Sequence, residues 1–265
     1  MERLGIIGYG AIARHVWTLL HRHRDVEVDA VLARKGQADR AAAMASGAMV
    51  VESAQALPDT LTAVLECAGH DALRTHGPAI LERGIDLISV SVGALADDEL
   101  EHTLNRAASG GGARLSFVAG AIGGLDVLSA ARHGGLSEVV YTGRKPPAGW
   151  RGTAAEAVLD LGSLTAPATH FEGNARTAAR RYPKNANVAA SVALAGVGLE
   201  ATKVTLIADP HAAGNTHEVE ASGAFGTLSL SLTGHALADN PKSSALTAMS
   251  VVEAALVRGR ALRVG

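Results

Sequence analysis

Arg3-Leu4-Gly5-Ile6-Ile7-Gly8-Tyr9-Gly10-Ala11-Ile12-Ala13 is an apolar run that breaks at two glycines and resumes with helical spacing at Ile12, His15, Val16, Leu19 and Leu20. That pattern calls for a buried strand, a tight turn and a helix. Gly8 permits the turn, Gly10 lets main chain approach a pyrophosphate, and the small Ala13 lets the helix pack closely on the strand. The helix start offers unpaired N–H groups and the positive end of the helix dipole, which favour an anion without any basic side chain. The stretch therefore reads as a dinucleotide site in which Gly8, Gly10, Ala11 and Ile12 bind the cofactor. An ordinary glycine-rich strand-to-helix turn would carry the same glycines.

Outward from this stretch, residues 26–33 read as a second strand and residues 37–46 as an alanine-rich helix. In an NAD-selective site an acidic residue usually ends the second strand, about 20 residues beyond the glycines, where it binds the ribose hydroxyls. Here the local residues are Ala33-Arg34-Lys35. Arg34 suits a 2′-phosphate, so NADP is expected beside NAD; a solvated loop charge is the competing reading. Short apolar runs at 49–51, 63–67, 87–92 and 115–118 alternate with helical segments, clearest at 71–83 and 97–108. This is the pattern of a doubly wound parallel sheet, a Rossmann domain spanning residues 1–120. The loops at Ala68-Gly69-His70 and Ser89-Val90-Ser91-Val92-Gly93 then lie along the cofactor crevice, with His70, Ser89 and Ser91 open to structural or chemical roles. Ser109-Gly110-Gly111-Gly112 reads as the most flexible break in this half.

Beyond Ala119-Gly120-Ala121-Ile122-Gly123-Gly124-Leu125-Asp126, a second glycine-rich strand exit, the pattern changes. Main chain near Ala121 is placed either against the cofactor or in a turn between domains. Strand-like stretches at 138–142, 202–208, 216–221 and 226–233 lack regular intervening helices, which predicts a second α+β domain over 121–240 with an antiparallel or mixed sheet. Helical patterns fall near 174–181 and 185–195. A helix over 243–257 fills the C-terminal part, 241–265, and is expected to pack back near the first domain.

Composition narrows the classes. Hydrophobic residues make up 48% of the 265, enough for a sizeable core. A formal net charge of -2 with interspersed signs points away from nucleic acid and from an electrostatic membrane anchor. The single Cys67 rules out an internal disulfide and a multi-cysteine metal site, and no metal is expected. No apolar segment reaches membrane-spanning length and no signal pattern precedes the first strand, so a cytoplasmic location is expected.

Two polar constellations remain. Arg180-Arg181-Tyr182-Pro183-Lys184-Asn185-Ala186-Asn187 places three cations beside two amides just before an apolar helix. An amide there either caps the helix or complements a nicotinamide carboxamide, the second role being favoured for Asn187. In Gly214-Asn215-Thr216-His217-Glu218-Val219-Glu220-Ala221, strand alternation puts His217 on one face with Val219 and Ala221. A core histidine and a proton-handling histidine both fit that position.

Taken together, the N-terminal fingerprint, Gly120-Ala121-Ile122-Gly123-Gly124-Leu125-Asp126, Tyr182-Pro183-Lys184-Asn185-Ala186-Asn187-Val188, Asn215-Thr216-His217-Glu218 and Asn240-Pro241-Lys242-Ser243-Ser244 resemble, in order and separation, the L-aspartate dehydrogenases among the dihydrodipicolinate-reductase-like oxidoreductases. The resemblance covers almost the whole chain. It implies that Ala121 and Asn187 contact NAD or NADP and that His217 is the active-site residue. It also implies oxidation of L-aspartate to iminoaspartate, then oxaloacetate and ammonia, the reverse reductive amination, and a homodimer formed through the second domain's sheet. The imine links such an enzyme to NAD biosynthesis. A dicarboxylate substrate needs anion partners, for which Lys184, Asn185 and Lys242 are the substrate-binding candidates, with Arg180 and Arg181 nearby. A related reductase of another imine or carbonyl, and a non-catalytic dinucleotide-binding redox sensor, are the alternatives.

Overall fold

The computed structural model describes residues 1–237 and 240–262, the side chains of residues 241 and 242 excepted. It divides into two compact units, one built from Met1–Gly120 with the chain from Thr247 onward, the other from Ala121–Leu246.

The first unit runs β1 (Glu2–Ile7), α1 (Ala11–Leu20), β2 (Val26–Leu32), α2 (Ala38–Met44), β3 (Met49–Val51), β4 (Ala63–Glu66), α3 (His70–Glu82), β5 (Asp86–Ser89), α4 (Asp98–Gly111) and β6 (Leu115–Phe117). All six strands are parallel, in the order β3-β2-β1-β4-β5-β6. The order reverses between β1 and β4, and ligands of such sheets bind outside the carboxyl ends of the strands at that point. Leu4, Ile6 and Leu65 on one face and Ile7 and Val64 on the other are all buried, which is why these strands read as continuous apolar runs rather than alternating ones.

Two features of this unit differ from the expectation. The run 109–112 is not a flexible break: α4 continues through Gly111 and ends at Gly112 in the left-handed conformation (φ 67°). Gly111 is glycine for packing, since a Cβ there would meet the Leu81 carbonyl oxygen of α3 at 1.9 Å. The fifth strand stops at Ser89, and the expected extension to 92 gives way to a buried 3-10 helix, Val92–Ala96.

The second unit runs α5 (Leu125–Gly134), β7 (Leu136–Lys145), β8 (Ala168–Asn174), α6 (Ala175–Arg181), α7 (Asn187–Ala195), β9 (Lys203–Ala208), β10 (Asn215–Gly223), β11 (Gly226–Gly234), β12 (Ala236–Leu237) and β13 (Asn240–Ser244). Its main sheet has the order β11-β10-β7-β9-β8, with β7 and β9 parallel and the other pairs antiparallel, so it is mixed. Four elements were not expected: α5, β8 and the short paired strands β12 and β13. The α5 helix begins right after Gly124, whose left-handed backbone (φ 73°) lies in the glycine-rich turn expected after the first domain; the helix that follows it was not expected. In β8 the register shifts between Thr169 and Phe171, which buries the consecutive His170 and Phe171 and erases the alternation that reveals a strand.

The last helix, α8 (Ala245–Leu256), begins two residues later than expected because 240–244 pair as a strand with β12. Its buried Ala248, Val251, Val252 and Ala255 join the apolar cluster of the first unit. Among the described residues no helix is long and apolar enough to cross a membrane.

Candidate active site

In the first unit the loops leaving β1 and β4 touch at the reversal of strand order. Gly8 has φ 104°, and a Cβ on it would lie 3.0 Å from the Ala68 Cβ, so both backbone sign and space require glycine. The β4 loop is held by the fully buried Glu66. Its Oε1 accepts from the Ala68 and Gly69 amides, each at 2.7 Å, and its Oε2 accepts from Ser89 Oγ at 2.6 Å, which in turn accepts from the Ser91 amide at 3.0 Å. One carboxylate thus ties the ends of β4 and β5 together, with every bond charge-assisted at the acceptor.

Gly10 is different. It stands at the N-cap of α1 with φ −74°, open to any residue, and a Cβ there meets no protein atom within 4 Å. No side chain caps this helix and no acidic residue lies in its first turn, so the amides at Ala11 and Ile12 have no side-chain acceptor. At the end of β2 the exposed Arg34 donates from Nη2 to Tyr9 Oη at 3.4 Å, and Tyr9 Oη donates to Gln37 Oε1 at 3.3 Å. His70 opens α3 after Gly69, and Cys67 is buried, its thiol pushed up by burial and by the Glu66 charge. Among the described residues no group of His, Cys, Asp and Glu forms a metal site.

The second unit brings its chemistry to one face of the mixed sheet. Alternation along β7 buries Val139, Tyr141, Gly143 and Lys145, and along β10 it buries Asn215, His217, Val219 and Ala221. The register pairs Gly143 with His217 and Tyr141 with Val219, so all eight share a face. Tyr141 Oη lies 2.7 Å from His217 Nδ1. Gly143 makes that contact possible, because a Cβ there would come within 2.9 Å of the Tyr141 hydroxyl and 3.1 Å of Leu206.

Two residues along β7 from Gly143, Lys145 donates from Nζ to Asn185 Oδ1 at 2.8 Å and sits 5.1 Å from the centre of the Trp150 ring. Gly149 packs on the Lys145 stem, with Asn215 Oδ1 4.0 Å from where its Cβ would be. Behind this group, His170 Nδ1 lies 3.1 Å from Tyr182 Oη, and the His170 ring meets Trp150 edge-on.

Burial governs the protonation of these groups. His217, 3% exposed, is lowered to about 3 by burial and then by the Lys145 charge; its imidazole is neutral at ordinary pH. Burial lowers Lys145 to about 8 and raises Tyr141. His170 falls to about 4 through burial, then the charges of Arg181 and Lys145.

The structure brings His217 and Asn185 into one buried cluster through Lys145. Asn185 does not cap α7, whose N-cap is Ala186 without a side-chain bond, and Asn187 is the helix's first residue, half-buried. Lys184 is exposed, Arg181 lies 5.8 Å over the Tyr182 ring, and Ala121 is buried in the second unit. Lys242 lies in β13 rather than at the helix start its neighbours suggested, and its side chain is outside the described residues. Sequence reading passed over Tyr141, Lys145 and Glu66. The spacing Tyr141-Gly143-Lys145 was the available signal for the first two, but the predicted strand stopped at 142.

With this geometry in view, comparison with known proteins is informative. Residues 126–257 match the family model for the aspartate dehydrogenase C-terminal region, and residues 8–118 match the homoserine dehydrogenase NAD binding domain. The chain is 51% identical over 261 residues to the L-aspartate dehydrogenase of Ruegeria pomeroyi, covering 98% of this chain and 94% of that one. It is 48% identical over 260 residues to the enzyme of the same name from Pseudomonas aeruginosa, covering 96% of each. Among solved structures it resembles aspartate dehydrogenase from Thermotoga maritima with a TM-score of 0.80 and 27% identity, each chain covered in full.

Proposed function

The chain belongs to the L-aspartate dehydrogenase family, and from that premise we propose how its own residues carry NAD(P)-dependent oxidation of L-aspartate and the reverse reductive amination. The reaction converts L-aspartate, water and the oxidised dinucleotide to oxaloacetate, ammonium, the reduced dinucleotide and a proton. When bound, the nicotinamide accepts the C2 hydrogen with its electron pair.

The residues of the first unit fit a dinucleotide. Gly8 and Gly10 keep the loop after β1 free of side chains, and the amides of Ala11 and Ile12 meet a pyrophosphate at an uncapped helix start. Glu66 and Ser89 hold the adjoining loop in place. Arg34, at the end of β2 without a carboxylate of its own, accepts a 2′-phosphate, so NADP binds as well as NAD. In the second unit, Ala121 main chain and the Asn187 amide orient the nicotinamide.

His217 handles the protons. For a C=N bond to form as the hydride leaves, the substrate ammonium must first surrender a proton and expose its lone pair. The Tyr141 contact at Nδ1 fits either tautomer; in the one that donates Nδ1–H to Tyr141 Oη, the neutral imidazole carries its lone pair on Nε2, which has no hydrogen-bond partner among the described residues, and we assign that tautomer to the reacting state. That nitrogen takes the ammonium proton and releases it to solvent, then takes a proton from the water that attacks C2 of the imine and passes it to the nitrogen that leaves as ammonia. In reductive amination the imidazolium returns it. The single observation carrying this reading is a buried, neutral His217 fixed by Tyr141 on the polar edge of the sheet face.

The half-buried opposite face of the same sheet, with Val140, Thr142, Thr205, Ile207 and Thr216, supports pairing of two chains into a homodimer. Sedimentation of the purified chain tests it, a monomer refuting it. The activity is tested by adding L-aspartate and either dinucleotide and following the absorbance of the reduced form. Reduction with aspartate is expected. Its absence, with dinucleotide binding intact, would favour the redox-sensor reading; activity only with another imine or carbonyl would favour the related reductase.

A further inference from the structure

Lys145 takes no part in the proton steps above, yet the fold holds its ammonium in an expensive position. The residue is 6% exposed, and buried ammonium groups are ordinarily matched by a carboxylate. Among the described residues no carboxylate pairs with it. Its one hydrogen bond goes to the neutral Asn185 amide, and the Trp150 ring supplies only a weaker attraction to the charge. An ammonium has three protons to donate, and this contact uses one. The neighbouring histidines supply no counter-charge, since an imidazole is neutral or cationic, and burial first and the nearby cations second keep His170 and His217 toward the neutral form. Arg144, the next cation, points to the other face of the strand and is paired with Asp209 at 3.1 Å.

Position adds to charge. Gly143 faces His217 across the strand pair, so Lys145 is the diagonal neighbour of His217 on the same face, about 7–8 Å away in such pairs. Between them there is reach for a four-carbon amino acid with its amine at one group and a carboxylate at the other. Asn215 lies on the same face beside them.

We propose that Lys145 is the substrate anchor: its ammonium binds one carboxylate of the dicarboxylate substrate, while Asn185 holds Nζ from the protein side. The inference rests on the dehydrogenase reading of this site. It replaces the exposed Lys184 with a buried cation whose missing counter-charge the substrate supplies. Binding also couples to the proton step. A carboxylate at Lys145 offsets the positive charge that, after burial, lowers His217, so the imidazole is a stronger base with substrate bound than without it.

The test uses the full chain with NADP and two variants, Lys145→Met and Asn185→Asp, each checked for folding by circular dichroism. Measured are KM and kcat for L-aspartate, the dissociation constant of NADP, and the dissociation constant of succinate, a dicarboxylate with no amine to oxidise. Removing one partner of a buried charge pair weakens binding at least about 30-fold. Lys145→Met should therefore raise KM for aspartate and the succinate constant by that factor or more, with NADP affinity unchanged. Asn185→Asp places a carboxylate on Nζ and should raise both through competition, so it tests the idea even if the methionine variant does not fold. Parallel measurements with L-alanine assign the carboxylate: a fall for both amino acids puts the α-carboxylate at Lys145, and a fall for aspartate alone puts the side-chain carboxylate there. Unchanged KM and succinate affinity in a folded variant would overturn the proposal while leaving the dehydrogenase reading intact. A parent chain that binds succinate through Lys145 but does not oxidise aspartate would overturn that reading instead.

Discussion

Replacing Tyr141 by Phe removes one oxygen and tests whether His217 is held for chemistry. The ring is 1% exposed and stays packed over Gly143, so the change opens no large cavity; it deletes the 2.7 Å contact to His217 Nδ1. A buried polar atom left without a partner costs about 1–3 kcal/mol, which sets the expected loss of stability in a urea titration. The kinetic effect has a separate origin. Without the hydroxyl at Nδ1, the imidazole is free to change tautomer or turn, and the reacting tautomer with its lone pair on Nε2 is populated less. If about 1.4–2.7 kcal/mol of that preference is lost, hydride transfer from L-aspartate slows about 10- to 100-fold. Single-turnover formation of the reduced dinucleotide measures it directly, and dinucleotide affinity should not move. A variant that is destabilised yet transfers hydride within twofold of the parent would show that Tyr141 serves packing only and that His217 needs no fixed tautomer.

Other perturbations separate the parts of the account. A Cβ at Gly10 meets no protein atom within 4 Å and the φ is allowed, so Gly10→Val should change stability by no more than about 0.5 kcal/mol while both dinucleotides bind more weakly; unchanged affinity measured by fluorescence titration would remove Gly10 from the site. Arg34→Asp exchanges a guanidinium for a ribose-hydroxyl acceptor and should shift the NAD-to-NADP affinity ratio toward NAD by about 10-fold or more, and an unchanged ratio would refute the role given to Arg34. Acid should weaken the fold through His217 and His170. Both stay neutral in the native state down to about 3 and about 4, whereas the unfolded chain protonates them near 6.5, so the unfolded state binds more protons in that window and stability falls as pH drops through it. The slope reaches about 1.4 kcal/mol per pH unit for each histidine, and His217→Asn should remove one share of it in urea titrations at stepped pH.

The parts of this molecule that were legible in sequence are those where local pattern and tertiary role coincide. The run from Arg3 to Ala13 reads as strand, turn and helix because a buried parallel strand must be continuously apolar and its exit must be glycine. His217 was placed on the correct face of β10 because alternation is kept there without a bulge. Where a residue answers to a distant partner, local pattern misleads. Gly111 looks like a hinge and is a helix contact, because the Leu81 carbonyl that excludes a side chain is thirty positions away in sequence. The bulge in β8 hides a strand. Glu66 sits in an apolar run as an apparent exception, and its reason, two amides and Ser89 converging on it, exists only after β4 and β5 pair. Lys145 was missed for a similar reason. A lysine at the end of a strand is ordinarily solvated, and only the closure of Asn185 and Trp150 over it makes it a buried charge.

The claim at the centre of the account is that His217 takes the proton from the amine of L-aspartate. A comparison of the parent, His217→Ala and His217→Asn in single-turnover hydride transfer from L-aspartate, with dinucleotide affinity measured alongside, tests it most directly. A positioned acid or base contributes about 10²- to 10⁴-fold, so both variants should bind dinucleotide as the parent does and transfer hydride slower by a factor in that range. Folded variants that bind dinucleotide and transfer hydride at the parent rate would contradict the account and make His217 a core residue of the sheet.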